Sequence, residues 1–203
     1  MFFVRHIVSL LLLLFIYHSA IAKEKEIKGN TEVSVNIATL YTGIPELQIG
    51  YFFKSYAGVD IGLVASGGYH LYPYQSFNKK LGLKNVRSLK GSYYRFGIKG
   101  RYPVTPRNIT HALWFQIMGV YTNYRERYYD KRDSLLKGSS ASGIGFSVAT
   151  GADFMFAKHF DLRLGTQYGI APKFSNKISE FTPGFGWTNL PIQLIIGVNF
   201  RFF

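Results

Sequence analysis

Ten charged side chains in this sequence stand at alternate positions among apolar and aromatic neighbours. The acids are Glu32, Glu46, Asp60, Asp153 and Asp161, and the bases are Arg95, Lys99, Arg101, Arg163 and Arg201. In the run Tyr94 to Tyr102, for example, Arg95, Gly97, Lys99 and Arg101 alternate with Tyr94, Phe96, Ile98 and Tyr102. Extended backbone sends successive side chains to opposite faces, so in strands all ten charges share one face. Left unpaired and hydrated, such groups could relay protons or line an ion path. In a confined interior, five acids facing five bases should pair instead, because an isolated buried charge costs several kcal/mol. We therefore expect an ion-paired interior, with a polar conduit as the alternative.

Acid–base catalysis has less to work with. His6 and His18 lie in the first 22 residues, which leaves His70, His111 and His159. No two of these share a metal-ligand spacing, and no serine and acid mark a triad around any of them. His159 is followed by Phe160, Asp161 and Leu162. The His-x-Ser-Asn pattern of lipid A deacylases would need a serine there. There is no cysteine, which excludes disulfides, thiolate metal sites and a lipid-modified cysteine. No enzyme, metal or cofactor is expected. Asn108-Ile-Thr110 matches a glycosylation sequon and reads as a turn.

The elements that must position the charges read as eight strands of period two. They cover 31–41, 46–53, 56–66, 92–102, 111–124, 142–156, 160–170 and the C-terminal stretch from Leu190. The outward faces are apolar: Leu47, Ile49, Tyr51 and Phe53 in the second strand, and Phe160, Leu162, Leu164 and Tyr168 in the seventh. Both faces of 111–124 are largely apolar, so its orientation stays open. Connections after the second, fourth and sixth strands are short: Lys54-Ser55, Pro103 to Asn108 and Ala157 to His159. Those after the third, fifth and seventh are long: 67–90, 125–140 and 171–189. Short turns at one end and long loops at the other are the habit of transmembrane barrels, whose short turns face the periplasm.

Both ends of the chain agree. Arg5, the apolar run Ile7–Tyr17 and Ala20-Ile-Ala22 read as a secretory signal peptide, 1–22. The run is too short for a spanning helix, which needs about 20 apolar residues. A charged periplasmic leader, 23–30, precedes the barrel, 31–203. At the other end Ile192, Leu194, Ile196, Val198, Phe200 and Phe202 form one apolar face opposite Gln193, Gly197, Asn199 and Arg201. Fifteen Tyr and 18 Phe suit strands and interfacial girdles. The net charge of +13 points, behind a signal peptide, to anionic lipid headgroups rather than nucleic acid. Its exposed share gathers in the long loops: Lys79, Lys80, Lys84 and Arg87 in the second, Arg125, Arg127, Lys131 and Arg132 in the third.

The tail Gly197-Val-Asn-Phe-Arg-Phe202 resembles the insertion signal of small eight-stranded outer-membrane proteins, a group that includes the outer-membrane protein X and W families. The general style also resembles small outer-membrane barrels common in Bacteroidota. The resemblance implies an all-β, eight-stranded antiparallel up-and-down barrel in the bacterial outer membrane, closed between its last strand and its first. It implies that Val198, Phe200 and Phe202, with Phe203 one step past the register, are read by the barrel-assembly machinery. An eight-stranded barrel is just wide enough for side chains to fill, which disfavours a constitutive pore. The expected role is structural or interactive: adhesion, envelope integrity, or contact with lipopolysaccharide or a protein partner through basic loops. The alternative is a transport component, either a narrow channel or a lateral route for small hydrophobic molecules.

Overall fold

The computed structural model describes residues 30–42, 45–56, 58–73, 88–104, 111–129, 135–157, 159–175, 181–187 and 192–202. The proposed signal peptide and all of the leader except Asn30 lie outside them. Among the described residues ten strands form: β1 (Asn30–Asn36), β2 (Glu46–Tyr56), β3 (Val59–Pro73), β4 (Ser88–Pro103), β5 (His111–Tyr129), β6 (Leu135–Ala157), β7 (Phe160–Ile170), β8 (Phe181–Thr182), β9 (Gly186–Trp187) and β10 (Ile192–Phe202). Eight of them close a barrel in the order β1-β10-β7-β6-β5-β4-β3-β2, and β8 pairs only with β9. All eight barrel ladders are antiparallel. Closure is made by β1 against β10, from Thr31↔Phe202 to Asn36↔Gly197. The ladders of β6 with β7 and of β7 with β10 run without a gap from Phe146↔Ile170 to Met155↔Asp161 and from Ile192↔Tyr168 to Phe200↔Phe160.

The period-two reading of the sequence holds around the barrel. Outward positions are exposed apolar and aromatic side chains, among them Ile49, Phe96, Ile117, Val148, Leu164 and Leu194. The ambiguous β5 turns Trp114, Met118, Val120 and Tyr124 inward and Leu113, Phe115, Ile117 and Tyr121 outward. Neighbouring glycines explain that choice. A Cβ on Gly151 or Gly165 would meet the Trp114 ring at 2.5 and 2.6 Å, so the indole occupies space that those two positions leave empty. From Tyr121 to His111 the outward face of β5 runs ten residues. That is about 33 Å of strand, or about 25 Å along the bilayer normal at a tilt near 40°, which matches an apolar membrane band.

The strand ends depart from expectation in four places. β1 stops at Asn36 and a 3-10 helix, Ile37–Thr42, replaces the rest of the expected strand. Local side-chain bonds account for the break. Asn36 Oδ1 accepts from the Ala38 and Ile196 amides at 3.1 and 3.3 Å, and Thr39 Oγ1 donates to the Asn36 carbonyl at 2.9 Å. The turn after β2 falls at Gly58, with φ +81°, rather than at Lys54-Ser55. A register shift between Phe52 and Lys54 absorbs the difference. Both ends of the expected loop 67–90 are ladder, since Gly67–Pro73 pairs with Ser88–Tyr94. Gly68, inside that stretch, marks a close approach: the Tyr93 ring fills the place of its side chain. In the same way Arg125–Tyr129 and Leu135–Ser140 continue β5 and β6 as a projecting hairpin.

The fourth departure matters most for function. The stretch 171–189 does not all remain outside the barrel. Its segment Phe181–Gly186 is buried at every position and folds into the lumen as the β8–β9 hairpin.

Candidate functional site

The barrel interior is built in two layers. Towards the short-turn end lies an ionic layer. Glu32, fully buried on β1, accepts from Lys99 of β4 across the lumen and from Arg163 Nη2 of β7 at 3.1 Å. Arg163 also grips Asp153 through two parallel bonds, Nε–Oδ1 at 2.8 Å and Nη2–Oδ2 at 2.9 Å, and donates to Ser34 Oγ at 2.8 Å. Such a fork is the geometry that guanidinium and carboxylate favour. Arg101 donates to Asp60 from Nε and Nη2, at 3.1 and 2.8 Å. Arg201 Nε and Asn199 Nδ2 both donate to Asp161 Oδ2, at 2.5 and 2.9 Å. Aromatic rings back the cations: Trp114 lies 5.3 Å from Lys99 Nζ and 5.5 Å from the Arg163 guanidinium, and Phe52 lies 4.4 Å from that of Arg101.

Towards the long-loop end the hairpin replaces ions as the filling. The Gly184 carbonyl accepts from Arg95 Nη2 at 2.7 Å and from Gln167 Nε2 at 3.3 Å. Arg95 also binds Glu46 Oε1 at 2.5 Å, and Tyr93 Oη donates to Glu46 Oε2 at 3.0 Å. His70 stacks on Tyr93 at 5.1 Å and meets Phe181 edge-on at 5.2 Å. The wall has lost side chains where the hairpin sits. A Cβ on Gly91 would meet Pro183 at 2.9 Å, and one on Gly145 would meet the Phe185 ring at 2.6 Å. Gly184 and Gly186 have φ of +83° and +85°, the left-handed region that glycine enters without strain. Between the layers a cavity of about 20 Å³ is lined by Ser34, Glu46, Gln48, Gln116, Arg163 and Gln167, among others. That is room for about one water.

All ten charged residues singled out in the sequence are therefore buried, and each joins at least one ion pair. Sequence reasoning missed several of their companions. Tyr93 and Gln167 bind the hairpin or its anchors, and only their inward parity marks them; Gln193, placed on the polar face from the sequence, accepts from Arg95 and Gln167. Glu126 reads as a loop residue, but it points inward, is fully buried, and accepts from Ser139 Oγ at 3.3 Å. His70 belongs to β3 and to the lumen rather than to a loop at the mouth. Arg125 and Arg127 lie on β5, exposed and outward, not in a loop. His111 is exposed at the foot of β5 beside Phe154, and His159 Nδ1 donates to the Arg201 carbonyl at 3.1 Å. The three histidines therefore sit in three separate surroundings. Lys79, Lys80, Lys84, Arg87, Lys131, Arg132 and Phe203 fall outside the described residues. Val198, Phe200 and Phe202 lie on the outer face of β10, where the Phe200 ring lies 4.2 Å from that of Phe160.

An exterior of apolar side chains around an ionised interior is the inverse of a soluble barrel. It is stable only with hydrocarbon outside. Solved structures share the architecture. The N-terminal β-barrel domain of Pseudomonas aeruginosa OprF matches with a TM-score of 0.50 at 11% identity, covering 86% of this chain and 96% of that one. This is the fold of a small outer-membrane β-barrel. Ail, the attachment invasion locus protein of Yersinia pestis, matches with a TM-score of 0.48 at 12% identity, covering 87% of this chain and all of that one. A major outer membrane protein from Thermus thermophilus gives 0.48 at 14%, with the same coverage. No family model and no curated protein matches the chain. At these identities the likeness concerns the fold alone. The chain is an integral outer-membrane barrel, and the roles of those proteins do not transfer with the fold.

Proposed function

We propose that this chain is a non-conducting outer-membrane barrel whose lumen serves stability and whose work is done on its outer surface. The observation that carries the reading is the Phe181–Gly186 segment, buried in the upper lumen and anchored at the Gly184 carbonyl by Arg95 and Gln167. Beside and below it, ion pairs tie strands together across the barrel: β2 to β4 through Glu46 at the hairpin, and β1 to β4 and β7 through Glu32 beneath it. The long-loop end faces outward and the short turns face the periplasm. The outward face of the last strand, Val198, Phe200 and Phe202, is what the barrel-assembly machinery reads during insertion. The surface role is structural or interactive: contact with the lipid of the envelope or with a partner, at the projecting β5–β6 hairpin.

A narrow channel or lateral route has less support. Of the strands beside which a lateral opening would lie, β7 and β10 keep a continuous ladder, and β6 and β7 keep one up to a register shift at Met155/Ala157, at the short-turn end. The test is conductance of the refolded protein in a planar bilayer. A flat trace is expected, with folding verified by the heat-dependent shift in gel mobility. Reproducible unitary steps from folded protein would overturn the reading.

A further inference from the structure

Each of the ten lumen charges has an opposite partner, but one part of the exterior gathers charge of a single sign. The outward face of β4, β5 and β6 changes character in steps of two residues towards the long-loop end. Tyr94, Tyr121 and Ile144 stand side by side in register as an aromatic and apolar rim. One step higher the row is Ser92, Asn123 and Ser142. The next is Lys90, Arg125 and Ser140, and above it come Ser88, Arg127 and Gly138. Lys90 and Arg125 are direct cross-strand partners, both exposed, and Arg127 follows on the same face.

Like charges set directly opposite on an antiparallel pair repel one another. None of the three is in an ion pair with a carboxylate among the described residues. Glu126, the acid between the two arginines, turns its side chain into the lumen. Three cations therefore gather on the exterior wall with small hydroxyl and amide groups beside them. An open hollow of about 220 Å³ is lined by Arg125, Glu126, Arg127 and Gly138–Ser140, with Lys90 outside its lining.

We propose that Lys90, Arg125 and Arg127 form a binding site, on the outside of the barrel wall, for the phosphate groups of an anionic glycolipid in the surrounding leaflet. The proposal rests on the reading that the surface of this barrel carries its function, and it names the ligand class. Reach along the wall selects a lipid over a soluble anion. Arg125 is four residues beyond Tyr121, about 13 Å along the strand and about 10 Å along the normal at the usual tilt. The headgroup layer begins at the aromatic rim and is about 5–8 Å deep on each side, so the Arg125 backbone stands just above it, with Arg127 two residues higher, and the cations meet lipid phosphates by laying their side chains down along the wall. Arginine and lysine bury their stems against apolar surface while the charged end stays at headgroup level. A guanidinium presents paired N–H groups that fit a phosphate, and the flat row of Ser92, Asn123 and Ser142 leaves room for a sugar beneath it. The site faces sideways into the leaflet, where acyl chains would lie against Tyr121 and Ile144.

The test uses the full barrel in phosphatidylcholine nanodiscs doped with either bisphosphorylated lipid A or its dephosphorylated form. Retained lipid is counted by native mass spectrometry after transfer to detergent. Preferential retention of the bisphosphorylated form is expected, weakening as salt rises. Lys90→Gln, Arg125→Gln and Arg127→Gln should each lower it about fivefold, and the triple variant about a hundredfold. Equal retention of the two forms, or a triple variant that folds and still discriminates, would overturn the proposal. So would a soluble glucosamine phosphate that binds as tightly as the lipid, because the anion would then not come from the leaflet. Failure here alongside a flat conductance trace sinks this site alone, whereas channel activity sinks the wider reading.

Discussion

Glu32 is the residue on which the lower lumen turns. It is fully buried and receives two cations from opposite sides of the barrel, Lys99 and Arg163. Replacing it with glutamine keeps the shape and removes the charge. The two cations are not equally exposed to that loss. Arg163 keeps its two-point contact with Asp153 and its bond to Ser34. Lys99 falls back on the rings of Trp114 and Phe52, at 5.3 and 5.8 Å. Breaking a buried ion pair from one side costs about 3–5 kcal/mol, most of it for the charge left behind. Since Arg163 is largely held, Glu32→Gln is expected to cost about 3–4 kcal/mol, near the lower end of that range.

A double-mutant cycle isolates the term. Lys99→Met alone leaves Glu32 paired with Arg163 and should cost about 1–2 kcal/mol, less than loss of a whole pair. Glu32→Gln with Lys99→Met removes both charges, and the double variant should lie within about 1 kcal/mol of Lys99→Met, because a buried pair replaced by neutral groups is often tolerated. Urea unfolding in lipid vesicles, followed by tryptophan emission, measures all four proteins. Trp114 lies beside Lys99 and reports on this layer directly. With a slope of about 2 kcal/mol per molar urea, the single Glu32→Gln variant should shift the midpoint by about 1.5–2 M. A folded Glu32→Gln protein within about 0.5 M of wild type would refute the cross-lumen role, as would a double variant whose loss equals the sum of the singles, since independent sites add to within about 0.5 kcal/mol.

Two glycines on the same ladder should respond in opposite ways. A Cβ on Gly97 would run into the Ile117 carbonyl oxygen, whereas one on Gly119 meets only the Phe96 carbonyl at 3.8 Å. Gly97→Ala should fail to give the heat-shifted folded band, while Gly119→Ala should stay within about 0.5 kcal/mol of wild type by urea titration. Gly184→Val combines φ +83° with a Cβ 2.9 Å from Tyr93. It should release the hairpin to limited proteolysis while the barrel itself stays folded; unchanged resistance would contradict that seating. On the membrane face, Ile117→Arg should cost about 2–4 kcal/mol in vesicles and Leu71→Arg, near the rim, at most about 1 kcal/mol, with equal losses refuting the placement of the band.

The barrel was legible in the sequence because its signal is local. Period two needs only adjacent residues, and it sorts Arg95, Lys99 and Arg101 from Tyr94, Phe96 and Ile98 without any knowledge of the fold. Pairing partners are not local. Glu32 and Arg163 lie 131 residues apart, and nothing near either names the other. The strand ends were illegible for a related reason. Gly67, Gly68 and the charges around Arg125 look like loop composition, but above a membrane a strand has no apolar face to show, so polarity and extended structure coexist there. The lumen hairpin was hidden in a different way, since Phe181–Gly186 carries no alternation of its own. Its trace lies on the opposing wall. Inward Gly91, Gly145 and Gly169 leave the space that the hairpin fills, and the atoms that would meet their Cβ include Pro183 and Phe185. Glycine on the inner face of a small barrel weakens the strand and leaves a void that close packing does not tolerate. A run of such positions on neighbouring strands therefore implies an occupant. In this chain the nearest unassigned apolar segment was the stretch between Ile170 and the last strand. The missing side chains mark that the wall makes room but do not name the occupant, since Gly151 and Gly165 make the same kind of room for the Trp114 ring.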